Sequence, residues 1–472
     1  MVRTPTLLAL LVVLLAPAAA QAADPCPRTR SLHTGPRADG FWNTTAPFEH
    51  FGANRSQVFA HSCTLTELTG RAQPRIALRS SPVDFSTPYN AATRNRDQLY
   101  LYGYGPDAAR QGGYVAGVDP RTLAQRWRTQ IPDTKPAGQW SYPGVMLSHA
   151  NGFLYAIYGN VLVKLDPVSG AVVARRELPE DPQQTGAAYN GMIVLPDGRL
   201  AAKKIERGPC ASDGPLTGLS CAVANALPSL IVVVDPRRLK VLSGVVPPEP
   251  ITGRITFGGG HIYAAGRDHL FRYRYARGAL TFDRGWGPVA YRTGTQTPGT
   301  GPGLLGHFVV VQTNFLPSSQ PMTVTAVDSR DSDRVFTIQP FAGSGTGSWI
   351  VSKAALDAAN NTVVTHDTTA GRMAALRLDP QTGFTVRWSR PLHSLDFSAL
   401  TGGARHRQIV IADLTGDADQ VVWLDEDTGT ERARTATLAT TPAPGNIVLP
   451  GFGGRFYYAS SAGRLWELRP VP

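Results

Sequence analysis

The sequence predicts an all-β fold made from one repeated unit, and three observations support this prediction. The 472-residue chain contains 48 glycine and 38 proline residues, which argues against long helices. A short turn motif built on an aspartate recurs along the chain. Each copy of that turn is flanked by runs of valine, leucine and tyrosine that have the length of strands. Apolar residues make up 42% of the chain, which is enough for a large core and excludes a disordered protein.

The turn motif has the form apolar-x-x-apolar-Asp-Pro-x-Thr/Ser-Gly. Its aspartate can accept hydrogen bonds from the backbone that follows, its proline fixes φ, and its glycine suits a left-handed position. The aspartates of four clear copies and two weaker ones are Asp119, Asp166, Asp235 and Asp379, and Asp328 and Asp425. A short strand follows the turn and ends at Trp127 in one copy and at Trp388 in another. The motif therefore predicts a hairpin between two antiparallel strands.

Eight such units can be counted, with third strands that end near residues 120, 167, 236, 275, 328, 380, 426 and 470. The spacing is about 48 residues, which matches a four-stranded propeller blade. We therefore predict a single β-propeller with eight blades, or with seven if the fourth unit, residues 269–282, is an elaborated hairpin. The eighth unit ends after its third strand, and an apolar segment near residues 76–78 is predicted to supply the missing outer strand and close the ring.

Two copies, DPRTLAQRW from Asp119 and DPQTGFTVRW from Asp379, resemble the repeats of pyrroloquinoline-quinone-type (quinoprotein-like) propellers. The resemblance extends over residues 76–470 and implies a propeller in which each Asp-turn and the tryptophan after it lock neighbouring blades. Relatives include quinoprotein alcohol dehydrogenases and a propeller lipoprotein of outer-membrane assembly. This chain lacks the adjacent cysteine pair, the haem motif and the lipidated cysteine of those relatives. We therefore expect no redox cofactor.

Residues 1–22 have the pattern of a cleaved signal peptide. Arg3 precedes an apolar stretch at residues 7–16, and Ala-Gln-Ala at residues 20–22 suits a cleavage site. No later stretch has the length of a membrane helix. We expect a secreted or periplasmic protein without a membrane anchor, in which an N-terminal segment, residues 23–75, precedes the propeller of residues 76–472.

The four cysteines are an even number, as expected for disulfides in an oxidising compartment. Three pairings are possible, and we favour Cys26–Cys63, which would tether the N-terminal segment, and Cys210–Cys221. No CxxC spacing indicates a metal site.

The formal net charge is +11, and forty of the 46 basic residues are arginine. The charges are scattered, so the sequence argues against a nucleic-acid partner. High use of arginine, alanine, glycine and proline is typical of GC-rich bacteria. We expect a monomer whose partner is a small molecule, a glycan or a protein.

The loops that enter the inner strands of a propeller line one mouth of its channel, and in this chain they combine aromatic and carboxamide side chains. The candidate ligand-binding residues are Tyr89, Asn90, Trp140, Tyr142, Tyr189, Asn190 and Trp349. Such residues around a concavity suit a sugar or another flat, partly polar ligand. The alternative is that these positions pack in the same way in every repeat, and that the aromatic rings fill the narrow inner part of each blade.

Two weaker sites can be proposed from the same loops. His366 beside Asp367 is a candidate general base, although neighbours in an extended strand point to opposite faces. The oxygen atoms of Asn90, Asn190, Asn314 and Asp396 could converge on a divalent cation such as calcium, in a way similar to gluconolactonase-type propellers.

These observations support two functional hypotheses. The first is an exported propeller that binds a ligand or protein partner at the mouth of its channel, without a cofactor. The alternative is a secreted hydrolase or lyase, assisted by a divalent metal, that acts on a lactone, an ester or an anionic glycan. The sequence contains no sharp catalytic motif, which favours the first hypothesis.

Overall fold

The computed structural model describes residues 24–104, 112–132, 144–180, 187–207, 226–345, 347–416, 418–438, 445–460 and 463–472. Their regular structure is almost entirely β-strand and forms an eight-bladed propeller of antiparallel sheets. The predicted fold class is confirmed. The seven-bladed alternative is wrong, because the fourth unit has its own innermost strand, Thr256–Gly258.

Each blade contains four strands, which are named from the innermost strand outward. Blade one consists of Pro88–Asn95, Gln98–Tyr104, Gly112–Val118 and Gln125–Pro132. Blade two consists of Val145–Ser148, Leu154–Tyr158, Val161–Leu165 and Val172–Glu177. Blade three consists of Ala187–Val194, Leu200–Arg207, Ala226–Asp235 and Lys240–Val245. Blade four consists of Thr256–Gly258, His261–Ala265, His269–Ala276 and Ala279–Phe282, with the short strand Val289–Ala290 paired to its third strand.

The other four blades repeat this order. Blade five consists of Gly303–Leu305, Phe308–Gln312, Val324–Asp328 and Val335–Ile338. Blade six consists of Ala355–Asp357, Thr362–Asp367, Arg372–Asp379 and Gly383–Pro391. Blade seven consists of Ala399–Thr401, Gln408–Thr415, Ala418–Asp425 and Glu431–Arg434. Blade eight consists of Leu449–Pro450, Phe456–Ala459, Leu465–Val471 and Arg75–Ser80.

The remaining elements are short. Gly35–Pro36 pairs with Trp42–Asn43, and Val58–Phe59 pairs in parallel with the innermost strand of blade seven. In the described ranges, the helices are Pro27–Arg30 and Leu65–Thr69, and the 3₁₀ turns are Ala404–His406 and Phe452–Gly454.

The core lies between the blades. In blade two the innermost strand, Val145–Ser148, is buried throughout, whereas the outermost strand, Val172–Glu177, is mostly exposed. Side chains of adjacent sheets pack face to face, and Tyr100 and Tyr102 of blade one join the same apolar cluster as Leu154 of blade two. Apolar side chains therefore face neighbouring sheets, and the charged ones collect on the outer strands.

The Asp-turns form as the motif predicts. The carboxylate of Asp379 accepts hydrogen bonds from the backbone of Gln381 and Thr382 at 2.8 and 2.9 Å. In the next turn, Asp425 Oδ1 accepts hydrogen bonds from the backbone of residues 427 and 428, both at 3.1 Å. The indole nitrogen of Trp388 donates to the carbonyl oxygen of Glu426, which lies in the turn of the next blade, at 2.8 Å. The turn of Asp425 therefore shapes its own blade and also offers a contact to the blade before it.

The N-terminal part of the propeller closes the ring. Arg75–Ser80 pairs with Leu465–Val471 as the outer strand of blade eight, and Leu78 lies opposite Leu468. This is the strand that the sequence predicts at residues 76–78. One sheet therefore contains both ends of the propeller, and backbone hydrogen bonds between them close the ring.

Residues 40–63, which we call the strap, run along the inner strands inside the ring. An innermost strand has an edge of backbone N–H groups, and buried groups of this kind need acceptors. In six blades one such group donates to a strap carbonyl at 2.8 to 3.0 Å. The donors are Thr93, Ser148, Phe257, Leu304, Leu356 and Leu400, and the acceptors are Ala46, Pro47, Ala53, Asn54, Ser56 and Gln57.

A disulfide between Cys26 and Cys63 fixes the end of the strap, so this predicted pairing is confirmed. Cys210 and Cys221 lie outside the described residues, as does the predicted signal peptide. Within the described part of the chain, no helix is long and apolar enough to cross a membrane.

Candidate ligand-binding site

The strap brings one carboxylate, Glu49, into the middle of the ring. Its Oε2 accepts a hydrogen bond from Asn90 Nδ2 at 2.8 Å, and its Oε1 lies 3.1 Å from Arg254 Nε. Arg55 Nη1 and His50 Nε2 are each 3.3 Å from the same Oε1. Glu49 is only 2% exposed. The strap, the first blade and the start of the fourth blade therefore meet at this carboxylate.

Burial and charge determine the ionisation of this group. Burial alone would raise the pKa of Glu49, but Arg254, His50 and Arg55 together hold it well below its usual range. Burial lowers the pKa of His50 to about 3, despite the opposing effect of Glu49. At neutral pH the site therefore contains an ionised carboxylate beside a neutral imidazole.

Arg254 connects three blades across the channel. Its Nη2 donates to the hydroxyl of Tyr89 at 2.7 Å, and its guanidinium carbon lies 5.5 Å from the ring centroid of Phe397. Because Phe397 precedes blade seven and Arg254 precedes blade four, residues from opposite sides of the ring converge on one side chain. The strap lies beneath them, so the channel is filled by the chain's own residues along its axis.

Two of the predicted ligand-binding residues meet at this point, and a third lies close to it. Tyr89 and Asn90 contact Arg254 and Glu49 directly. Asn190 is 5% exposed, and its Oδ1 is buried without a hydrogen-bond partner among the described residues. The next residue, Gly191, packs against Arg254, since a Cβ placed on it would lie 3.1 Å from the Cα of Arg254.

The other predicted ligand-binding residues lie elsewhere. Tyr189 donates its hydroxyl hydrogen to the carbonyl oxygen of Pro179 at 2.6 Å and is part of a core cluster, as the packing alternative expects. Trp349 is half-buried and donates to the carbonyl oxygen of Phe315 at 3.2 Å. Trp140 and Tyr142 are outside the described residues.

The candidate base, His366, has no carboxylate beside it among the residues that the structure describes. Its Nε2 lies 3.2 Å from Ser352 Oγ, whereas Asp367 accepts hydrogen bonds from Ser348 Oγ and from the backbone of Ala370. Neighbouring residues of a strand point to opposite faces, which separates His366 from Asp367. Burial lowers the pKa of His366 to about 4. The histidine is therefore neutral at pH 7, but Asp367 does not orient it.

The oxygen atoms predicted to bind a cation do not converge. Asn90 contacts Glu49, and Asn314 bonds within its own loop to the backbone of Thr297 and Gln320. Oδ2 of Asp396 lies 2.9 Å from the hydroxyl oxygen of Tyr458. Within the described ranges of the chain, no group of three or more His, Cys, Asp and Glu side chains could hold a metal ion.

The hydroxyl of Tyr458 also lies 2.8 Å from Asp419 Oδ2, so one phenol contacts two carboxyl groups. Burial and the neighbouring Asp419 raise the pKa of Asp396 well above its usual range. A phenol can donate only one hydrogen. A proton on Asp396 therefore completes the second hydrogen bond, and this pair explains the position of Asp396 without a cation.

Sequence reasoning missed the charged residues at the centre. Arg254 and Lys353 each lie two residues before an innermost strand, which is the type of position that indicated candidate residues in other blades. No sequence pattern indicated Glu49 or Arg55 as site residues, because they belong to the segment before the repeats. Their positions depend on the path of the strap.

No protein-family model and no curated protein matches the chain. Among solved structures it is similar to the quinohemoprotein alcohol dehydrogenase of Comamonas testosteroni, at 11% identity and a TM-score of 0.57, over 89% of this chain and 80% of that one. A europium-containing methanol dehydrogenase has 10% identity and a TM-score of 0.56, over 88% and 89% of the two chains. The Dos1 propeller has 10% identity and a TM-score of 0.55, over 84% and 95%.

The names of the two dehydrogenases indicate a quinone, a haem and a metal, and the residues that the structure describes do not fit these groups. The sequence has neither adjacent cysteines nor a CxxCH motif. The carboxylate in the channel, Glu49, already contacts Arg55 and Arg254, and this excess of positive charge would repel a cation. The chain therefore shares the propeller fold of these solved structures.

Proposed function

We propose that this protein is an exported propeller that binds a small polar ligand at the mouth of its channel, on the face where the inner strands begin. The observation that carries the proposal is the position of Arg254, which contacts Tyr89 and Glu49 and lies close to Phe397 and to Gly191, the neighbour of Asn190. Rigid polar groups beside aromatic rings are typical of small-molecule sites.

Two further observations support parts of this proposal. The Cys26–Cys63 disulfide supports an oxidising compartment, the periplasm or the exterior of the cell. In the described structure no carboxylate orients His366, which supports binding without catalysis. No observation in the described residues favours the metal-assisted hydrolase, so we do not propose it.

The test is native mass spectrometry of the mature protein, purified gently from a bacterial host that exports it. We expect a bound small molecule on the wild-type protein. Asn190→Ala should lower the bound fraction at least tenfold, because it removes a buried acceptor that has no hydrogen-bond partner among the described residues. Asn151→Ala is the control, because Asn151 is exposed in the turn after the strand Val145–Ser148, at the end opposite to the one where the inner strands begin.

A wild-type protein that carries no bound molecule would contradict the proposal. Equal occupancy in wild type and Asn190→Ala would place the ligand elsewhere. Turnover of an ester or lactone that Asn190→Ala abolishes would favour the enzyme hypothesis instead.

A further inference from the structure

Four buried positive side chains lie near the buried carboxylate of Glu49 in the described centre of the ring. Arg55 and Lys203 are 0% exposed, Lys353 is 4% exposed, and the side chain of Arg254 is 11% exposed. Each of the two arginines lowers the pKa of both lysines, so the four cations lie near one another. Glu49 pairs with both arginines.

The two lysines have only carbonyl partners among the described residues. Lys203 Nζ donates to the carbonyl oxygens of Ile251 and Thr252 at 2.9 and 3.2 Å. Lys353 Nζ donates to the carbonyl oxygen of Ala354 at 3.0 Å. No ion pair involves either lysine in the described ranges. An ammonium group has three hydrogens, so each of these groups retains hydrogen-bonding capacity.

Lys353 lies beneath the strap, in a space that a glycine keeps open. A Cβ at Gly303 would lie 3.0 Å from Lys353 Nζ and 3.2 Å from the carbonyl oxygen of Arg55. The amine of Lys353 therefore faces the backbone of Arg55.

A second polar atom is unsatisfied in the same region. Arg55 Nε donates to the carbonyl oxygen of Ile255 at 2.7 Å, and Nη1 contacts Glu49, but Nη2 is buried without a hydrogen-bond partner in the described structure. A guanidinium presents its donors in a fork that matches two oxygens of one oxyanion. Both Arg55 Nη2 and the amine of Lys353 are thus buried donors in need of acceptors.

We infer that the floor of the channel beside the strap, formed by Arg55, Lys203 and Lys353, binds an oxyanion, either a carboxylate or a phosphate group. This inference rests on the proposed function and names the class of its ligand. Buried charges without partners are costly, and an oxyanion supplies both the opposite charge and the missing acceptors. It would also contact the donors that Glu49 leaves unused.

A purely structural explanation makes different predictions. Burial, together with Arg55 and Arg254, lowers the pKa of both lysines well below the usual range, so the two amines could be neutral in a protein without ligand. In that case no oxyanion would bind, and removal of an amine would stabilise the protein equally in every buffer. Binding measurements can separate these explanations.

The experiment is isothermal titration calorimetry of the mature protein, first stripped of any bound molecule by unfolding and refolding. Citrate tests the carboxylate and inorganic phosphate tests the phosphate group, with sodium chloride at the same ionic strength as the reference. We expect one of the two oxyanions to bind. Lys353→Met should weaken binding at least tenfold, whereas Lys240→Met, a change at an exposed lysine of an outer strand, should not alter it.

Glu49→Gln gives a second and opposite readout. It removes a negative charge from the cation cluster, so it should strengthen oxyanion binding severalfold if the anion lies in the cluster. The refolded protein must have the wild-type circular dichroism spectrum before titration. A surface or adventitious anion would bind with the same affinity in all of these variants, which would overturn the inference.

The inference would also be overturned if neither citrate nor phosphate gave a heat of binding with the wild-type protein. The proposed function would still hold if native mass spectrometry found a neutral ligand that depends on Asn190. Failure of both experiments would reject the channel as a binding site.

Discussion

Glu426 lies in the turn after the third strand of blade seven, and only 1% of it is exposed. Its Oε2 accepts a hydrogen bond from Asn360 Nδ2 at 2.7 Å, while its Oε1 has no hydrogen-bond partner in the described part of the chain. Burial, with the help of Asp357, raises the pKa of Glu426 to about 7. At the scale of a single residue, the burial of this carboxyl group therefore makes the stability depend on pH near neutrality.

Glu426→Gln should stabilise the protein at alkaline pH. The folded pKa of about 7 lies above the ordinary value of 4.5, so the stability of the wild type falls as the pH rises between these values and then stays lower. Glutamine is always neutral. We expect a gain of about 1–3 kcal/mol in the free energy of unfolding at pH 8, and none at pH 4.

Urea unfolding at pH 4, 6 and 8 measures this difference. Glu177→Gln is the control, because the side chain of Glu177 is 58% exposed. If the gain in the free energy of unfolding were the same at all three pH values, ionisation of Glu426 would not be its cause.

At the scale of the repeated element, the fourth residue after the turn aspartate has a positive φ in five of the six Asp-turns, all except that of Asp328, and the neighbouring blade influences its identity. Gly170 and Gly429 have φ values of 74° and 69°. A Cβ at either position would overlap the ring of Trp127 or Trp388 from the preceding blade. Glycine at these two positions therefore allows the positive φ of the turn and also leaves room for the tryptophan ring of the preceding blade.

Leucine takes the same position where the preceding outer strand has no aromatic residue to cover the turn. Leu123 and Leu239 have φ values of 59° and 51° and are at most 1% exposed. The preceding outer strands, Arg75–Ser80 and Val172–Glu177, contain no aromatic residue. The leucine side chain fills the vacant space, and its burial offsets the strain of the positive φ.

Gly429→Ala should destabilise the protein more than an alanine at an open glycine. The new Cβ would lie 2.7 Å from the nearest atom of Trp388. Gly306→Ala is a matched control, since Gly306 has a φ of 61° and a Cβ added to it would meet nothing within 4 Å. We expect the free energy of unfolding, measured in urea, to fall by about 1 kcal/mol in the control. In Gly429→Ala it should fall by a further ~1–3 kcal/mol. Equal losses would mean that the turn alone requires the glycine.

At the scale of the whole molecule, the strap and the ring closure connect distant parts of the chain. The strap supplies backbone acceptors to six blades, and Arg75–Ser80 then completes blade eight. The Cys26–Cys63 disulfide closes a sequence separation of 37 residues around the strap. Loss of this constraint should favour the unfolded chain, because a longer free segment has more conformations.

Cys26→Ala/Cys63→Ala should lower the free energy of unfolding by about 3–4 kcal/mol. Cys26→Ala alone should give a similar loss, because one missing sulfur already prevents the bond. Chemical unfolding without reducing agent measures the effect. A loss below about 1 kcal/mol would show that the contacts of the strap hold it without the disulfide.

Much of the fold could be predicted because its signals are local. The turn aspartate bonds to residues two and three positions later, so the motif is visible in a short stretch of sequence. The spacing of the motif implied the number of blades, and the apolar residues near Leu78 implied the closing strand. The Cys26–Cys63 disulfide could be predicted because four cysteines allow only three sets of pairings.

The centre of the channel could be predicted only in part. Tyr89, Asn90 and Asn190 were found because they begin inner strands, and repeats place such residues in equivalent positions. Arg55 and Gln57, in contrast, bond to Ile255 and Ser398, which are 200 and 341 residues away. No local pattern encodes such contacts.

The sequence by itself determined the all-β class, the repeated blade, the ring closure and one disulfide, because each depends on hydrogen bonds or spacings within a repeat or on a small number of pairings. Only the tertiary structure decided that the strap fills the ring and that Glu49 meets Arg254 there. These contacts arise when eight separate sheets close around one segment, and their energy comes from burial that no single repeat contains.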